Sequence, residues 1–169
     1  MAIIKPNNNT LTAITALPSG MTSAPGLSIS GRILQIGSSS DTTERSTTST
    51  SFQTASNTLS VDITPAAASS KFLILVQTGS YNDDNGGTVH CTIYRTVGGT
   101  ESDLGNSNQG LVTSRTDQNS RFPTSMMIHD EPNTTSAINY RVHFRAGSGT
   151  AKIVSYPARS KITVLEIGG

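Results

Sequence analysis

Three histidines, one cysteine and a small set of carboxylates are the side chains with which this 169-residue chain could do chemistry. His90 and His143 fall on the polar positions of two alternating segments, and His129 opens a His-Asp-Glu run at 129–131. No spacing among them matches a zinc ligand set, so His90 and His143 are expected to face solvent or an interface. The 129–131 run and Asn-Asp-Asp-Asn-Gly-Gly at 82–87 could offer oxygen ligands to a cation, but the latter lacks the later bidentate glutamate of an EF-hand. Both are read as solvated turns, and no metal or other cofactor is expected. Cys91 stands alone, which excludes an intrachain disulfide and Cys₂ or Cys₄ zinc sites. Its place among strand residues makes it a buried, inert thiol. Serines are too numerous to mark a nucleophile, and neither a Gly-x-Ser-x-Gly elbow nor a phosphate loop is present. A glycosidase pair could be drawn only from carboxylates such as Asp117, Asp130 and Glu131. There is no tryptophan for a sugar platform, and the Asn8 and Asn133 sequons matter only in a secreted protein. An enzyme is not expected.

The elements that would position these groups are strands. Ser and Thr exceed a quarter of the chain, with 15 Gly and 7 Pro, and Ala-, Leu-, Glu- and Lys-rich helical stretches are missing. The organising stretch is 59–78. Leu59, Val61 and Ile63 alternate, Pro65 and small residues follow, and Phe-Leu-Ile-Leu-Val at 72–76 is the most apolar run. Alternation reads as a half-buried strand, and the continuous run as a central strand covered on both faces. Further strands are expected at 32–36, along a polar edge within 38–54, at 88–95, 111–112, 122–128 and 138–145. Two more are expected at 151–154 and, last, at 161–167. Gly-Ser-Gly at 147–149 reads as a hairpin turn. Eight to ten strands predict an all-β, jelly-roll-like antiparallel β-sandwich over 31–169.

Two further features bear on assembly. Residues 1–30 are punctuated by Pro and Gly, with scattered Ile3, Ile4, Leu11, Ile14 and Leu17, and read as an extended arm. The terminal strand is apolar on both faces: Ile162, Val164 and Glu166 point one way, Thr163, Leu165 and Ile167 the other. Such a strand belongs in the middle of a sheet or against a second subunit, with Glu166 covered and paired to a group such as an Arg. Phe72, Ile74, Val76, Ile162, Val164 and Glu166 are therefore the candidate subunit interface. Twelve basic and eleven acidic residues leave a net charge of +1, which argues against a nucleic-acid partner. No stretch is apolar over the roughly 20 residues of a membrane span or matches a signal peptide, so a soluble protein without membrane insertion is expected.

Gly-Arg-Ile-Leu-Gln-Ile at 31–36, Ile-Thr-Pro-Ala-Ala-Ala-Ser-Ser-Lys-Phe-Leu-Ile-Leu-Val at 63–76 and Ile-Thr-Val-Leu-Glu-Ile-Gly at 162–168 occur in that order. Together with the arm segment 7–18, they resemble virion structural proteins of tailed bacteriophages, of the kind found in phages of cyanobacteria and marine bacteria. The resemblance implies a jelly-roll body, usually a homotrimer broadly like tumour-necrosis-factor-type trimers, and it carries over no catalytic residues. The expected function is a capsid decoration or cement protein, or a short head fibre, on the capsid surface rather than the tail of the virion, made in the host cytoplasm. In that role Ile3, Ile4, Leu11, Ile14 and Leu17 would dock onto the major capsid protein or other virion proteins, each buried aliphatic contributing roughly 1.5–3 kcal/mol. Three arms acting together would offset the entropy of ordering them. The alternative is a tail-fibre tip that recognises a host surface glycan through loops 79–87 and 98–120; a depolymerising enzyme on the same scaffold is third.

Overall fold

A computed structural model describes residues 31–117, 120–154 and 159–169. Eleven strands follow in order: β1 (Ile33–Asp41), β2 (Arg45–Thr47), β3 (Ser60–Ile63), β4 (Lys71–Asn82), β5 (Gly87–Val97), β6 (Thr100–Asp103), β7 (Val112–Thr116), β8 (Arg121–Asp130), β9 (Ile138–Ala146), β10 (Ala151–Ile153) and β11 (Ser160–Ile167). The arm expected at 1–30 lies outside the described residues.

The strands form two antiparallel sheets organised around β4 and β5. β4 pairs β8 along one edge. Its other edge pairs β11 over Lys71–Gln77 and β10 over Ser80–Asn82. β1 lies outside β11, and β2 outside β10. In the second sheet the order is β3-β9-β5, with β6 and β7 sharing the far edge of β5. The chain crosses between sheets from β2 to β3, β3 to β4, β4 to β5, β7 to β8, β8 to β9 and β9 to β10. Repeated crossing of this kind makes a jelly-roll sandwich. The all-β expectation and the central position of 72–76 hold.

Alternation decides which side chains enter the core. Phe72, Ile74 and Val76 of β4 and Ile162 and Val164 of β11 meet Val89, Cys91 and Ile93 of β5 and Tyr140, Val142 and Phe144 of β9. The Phe72 and Tyr140 rings pack tilted, with centroids 5.7 Å apart. At Gly37 the layers approach so closely that an added Cβ would lie 2.6 Å from the Val61 methyl. β11 and β10 nearly form one strand. Val154 leaves that line at φ +57°, a strained conformation for a β-branched residue. Thr78 spans the gap: its Oγ1 accepts from the Val154 N–H at 3.2 Å and from the Ser160 hydroxyl at 2.8 Å.

Some local expectations change. The first strand runs past Ile36 to Asp41, and the long polar edge strand reduces to β1's end, β2 and a bridge at Gln53. Residues 147–149 do not close a hairpin, since β9 and β10 lie in different sheets. The 82–87 turn likewise makes a corner between sheets. Gly-rich spacing reports a tight reversal but not whether the next strand pairs with the last one.

Candidate functional site

The six residues expected at a subunit interface lie inside the sandwich. Phe72, Ile74, Val76, Ile162, Val164 and Glu166 are all buried within the protomer, so no neighbour can touch them. The physical reason is parity. In a run apolar at every position the pattern does not say which face turns inward, and here the even-numbered residues do. Glu166 is covered as expected, but its partner is not an arginine. The Gln35 carboxamide donates to Oε2 at 2.5 Å and the Ala66 N–H to Oε1 at 2.7 Å.

The opposite face of the same strands is the surface of interest. Cross-strand registers place Ile36, Leu165, Leu73 and His129 in one row, and Ser38, Thr163, Leu75 and Met127 in the next. Ile36 is 63% exposed, Met127 69% and Leu75 37%, and β1 adds exposed Ile33 and Leu34. A shallow cleft of about 450 Å³ opens here between Leu75, Gln77, Ser125, Met127, Lys161 and Thr163. A Lys71–Glu131 ion pair at 3.1 Å borders the apolar rows, with His129 a further 3.8 Å from Glu131. The exposed apolar side chains of this face are neighbours across four strands and are rimmed by polar groups.

The second sheet's outer face is closed over. His90 and His143, expected to face outward into solvent or an interface, are both buried. Residues 49–53 run along β9, with Gln53 and Phe144 exchanging backbone hydrogen bonds at 2.9 Å each way. This turns Phe52 over the face, its ring 6.4 Å from that of Tyr94. Loop 104–111 comes from the other side, tied by Leu104 N–H to Ile93 and Leu111 N–H to Cys91 carbonyls. Gly110, at φ +70°, lies where a Cβ would collide with the Cys91 carbonyl and approach Phe52. Arg145 joins the two covers, donating to the Thr50 carbonyl at 3.2 Å and to that of Asn108. The sequence signal for this cover was a single aromatic, Phe52, in a Ser/Thr stretch.

Beneath the cover, His143 stacks on Tyr94 with centroids 4.1 Å apart and planes 17° from parallel. His90 sits between the hydroxyls of Thr88 at 3.1 Å and Thr113 at 2.8 Å. Burial lowers the pKa of both imidazoles. At His90 Arg145 adds to the effect and a hydrogen bond with the Gln109 backbone opposes it; at His143, Glu101 and Asp103 oppose burial while Arg141 reinforces it. Cys91, on the core side, has its thiol pushed up to about 12 by burial, as its expected inertness requires.

The remaining polar candidates hold the fold together. In the 82–87 corner, Asn82 Oδ1 accepts from the Asp84 N–H at 2.9 Å and Asp83 Oδ1 from the Thr150 N–H at 2.7 Å. Of the 129–131 run, only His129 and Glu131 share a face. Asp130 points inward, accepting from Arg95 at 2.7 Å and from the Tyr140 hydroxyl at 2.7 Å. Asp130 and Glu131 are thus on opposite faces and cannot act as a catalytic pair. Among the described residues no group of three His, Cys, Asp or Glu side chains is placed to hold a metal ion. Ile3, Ile4, Leu11, Ile14 and Leu17 lie outside the described residues.

The sequence matches no family model and no curated protein. Solved structures to which the chain is similar include an Eiger TNF from S. frugiperda, 15% identical with a TM-score of 0.48, over 81% of this chain and 94% of that one. The infectious bursal disease virus Gx strain matches at 14% identity and TM-score 0.45, over 83% of this chain and 33% of that one. The VP2 subviral particle of the same virus matches at 12% identity and TM-score 0.38, over 80% and 37%. The chain spans about a third of the length of those two viral chains.

Proposed function

We propose that the chain is a structural protein of a virus particle that works as a homotrimer, decorating or cementing the capsid or forming a short head fibre. The observation that carries the assembly part is the apolar outer face of the β1-β11-β4-β8 sheet, centred on Ile36, Leu73, Leu75, Met127 and Leu165. Burying such side chains is worth roughly 1.5–3 kcal/mol each. A standard interface takes about 800 Å² from each partner, and a four-strand face of this kind supplies the apolar centre of one. In this reading the subunits meet through these faces around a shared axis. The trimer and the virion come from the sequence resemblance of segments 31–36, 63–76 and 162–168.

Residues 1–30 act in this reading as the arm that docks on the major capsid protein or other virion proteins, with Ile3, Ile4, Leu11, Ile14 and Leu17 as the apolar anchors. Deleting residues 1–30 tests it. Purified particles should lose the protein from the head and become more fragile to heat or osmotic shock. Retention of the truncated protein, with failure of host adsorption instead, would reject the decoration role in favour of glycan recognition by a tail-fibre tip.

A further inference from the structure

The second sheet's outer face combines three features that the assembly role does not use. First, it carries both buried histidines, His90 of β5 and His143 of β9. Secondly, two irregular segments, 48–56 and 104–111, meet above them, joined through Arg145 and through Phe52 against Gly110. Thirdly, several buried polar atoms here have no hydrogen-bond partner among the described residues: both ring nitrogens of His143, Nε of Arg141, Nε of Arg145 and Oδ2 of Asp103. Unmade hydrogen bonds weaken a buried layer, and irregular segments outside the strand ladders open before the sheets beneath them.

We infer that this cover is an acid-operated latch: protonation of His143 and His90 releases segments 48–56 and 104–111 from the second sheet while the sandwich stays folded. Burial under the cover sets the direction at both rings, and the charges facing them modify it. Arg141 and Arg145 flank His143 on its own strand, two residues away on each side. Arg145 also acts on His90, and Arg115 stands on β7, two residues beyond the Thr113 that contacts that ring. From β6, Glu101 and Asp103 favour a protonated His143. Asp103 already holds the Thr92 hydroxyl at 2.5 Å and the Gly105 N–H at 2.9 Å through Oδ1. Tyr94, stacked on His143, has its hydroxyl pKa raised by burial and by Asp103 and Glu101, and stays neutral. Segments 48–56 and 104–111 contain no ionisable side chain to balance a new cation.

Both imidazoles take a proton less readily under the closed cover than once it opens. The opening constant therefore rises as pH falls below the free-histidine value near 6.5, by up to about tenfold per pH unit for each histidine. The rise ends where the covered rings themselves titrate. Opening would uncover Phe52, Tyr94 and Thr92.

Amide hydrogen exchange on the 169-residue chain between pH 7.5 and pH 5 tests this, with opening constants corrected for intrinsic exchange. The amides of Gln53, Leu104, Gly110 and Leu111 should open at least tenfold more at the acid end, while those of β4 and β11 stay protected. A His90→Asn, His143→Phe double variant, which keeps a hydrogen-bonding group and a flat ring, should abolish the rise. Imidazole NMR titration of the unaltered chain supplies a readout that needs no variant: the histidine midpoints should coincide with the opening. Cover amides that do not respond, an unchanged response in the double variant, simultaneous opening of β4, or histidines that titrate near the free value while the cover stays closed would each overturn the proposal.

Discussion

Leu75 of β4 and Met127 of β8 are cross-strand partners on the outer face of the first sheet, both exposed, while their chain neighbours Ile74 and Met126 are buried. One residue's difference in position therefore separates fold from surface. Ile74→Ala should lower unfolding stability by roughly 2–5 kcal/mol through a core cavity. Leu75→Glu should leave the protomer folded and act on association. Urea denaturation read beside sedimentation distinguishes them: Ile74→Ala shifts the midpoint, whereas Leu75→Glu shifts the mass.

Glu166 offers a second test of the inward parity. Its carboxylate is fully buried and joins the Gln35 side chain of β1 to the backbone of Ala66. Removing it takes the acceptor from the Ala66 N–H and leaves the Gln35 carboxamide with the Thr64 carbonyl at 2.7 Å. Glu166→Ala should cost about 1.5–3 kcal/mol, the range for hydrogen bonds to a charged group. Glu166→Gln, which retains an acceptor, should cost less. Chemical denaturation midpoints of the two variants give the comparison, and equal losses would remove the carboxylate from this role.

Asp41 should make the fold acid-sensitive in a window separate from the histidines. Burial alone would raise its pKa, but N–H donors from Thr43 at 2.8 Å and Thr58 at 3.0 Å, with Arg45 at 3.0 Å, outweigh this and hold it below 3.8. A depressed carboxylate stabilises fully above its unfolded value and loses that contribution as pH falls through its folded one. Asp41→Asn should therefore lower stability at pH 7 and flatten the loss of stability below about pH 4. Thermal melts between pH 7 and pH 2 measure both.

Cys91 should be inert in the folded protein. With its thiol pushed up to about 12 and its side chain in the core, almost no accessible thiolate exists at pH 8. Modification by a thiol-reactive disulfide should follow unfolding, becoming fast only in denaturant. Immediate reaction of the folded chain would mean that β5 is not packed as described.

Much of the architecture was legible from local chemistry. Pro65 and the small residues after it end β3 and begin β4, and Cys91 lies where the alternation of β5 places it. Sequence could not resolve the facing of β4 and β11, because Phe72–Val76 and Ile162–Ile167 are apolar at nearly every position. The inward face is chosen by tertiary contacts: Glu166 finds its donors at Gln35 and Ala66, 131 and 100 residues away. The histidines were misread for a related reason. Polar alternation in β5 and β9 signals an outer face, but whether two Ser-, Asn- and Gly-rich loops fold back over it depends on Phe52 and Arg145. Neither residue advertises a partner locally.

The most direct test of self-association through the first sheet's outer face is the mass of the 169-residue chain at micromolar concentration, by native mass spectrometry or sedimentation equilibrium. The unaltered chain should run at three chain masses. Leu75→Glu and Met127→Glu should run at one, with melting curves that show a folded protomer. A single chain mass for the unaltered protein, or a trimer indifferent to both substitutions, would contradict the assignment of this face.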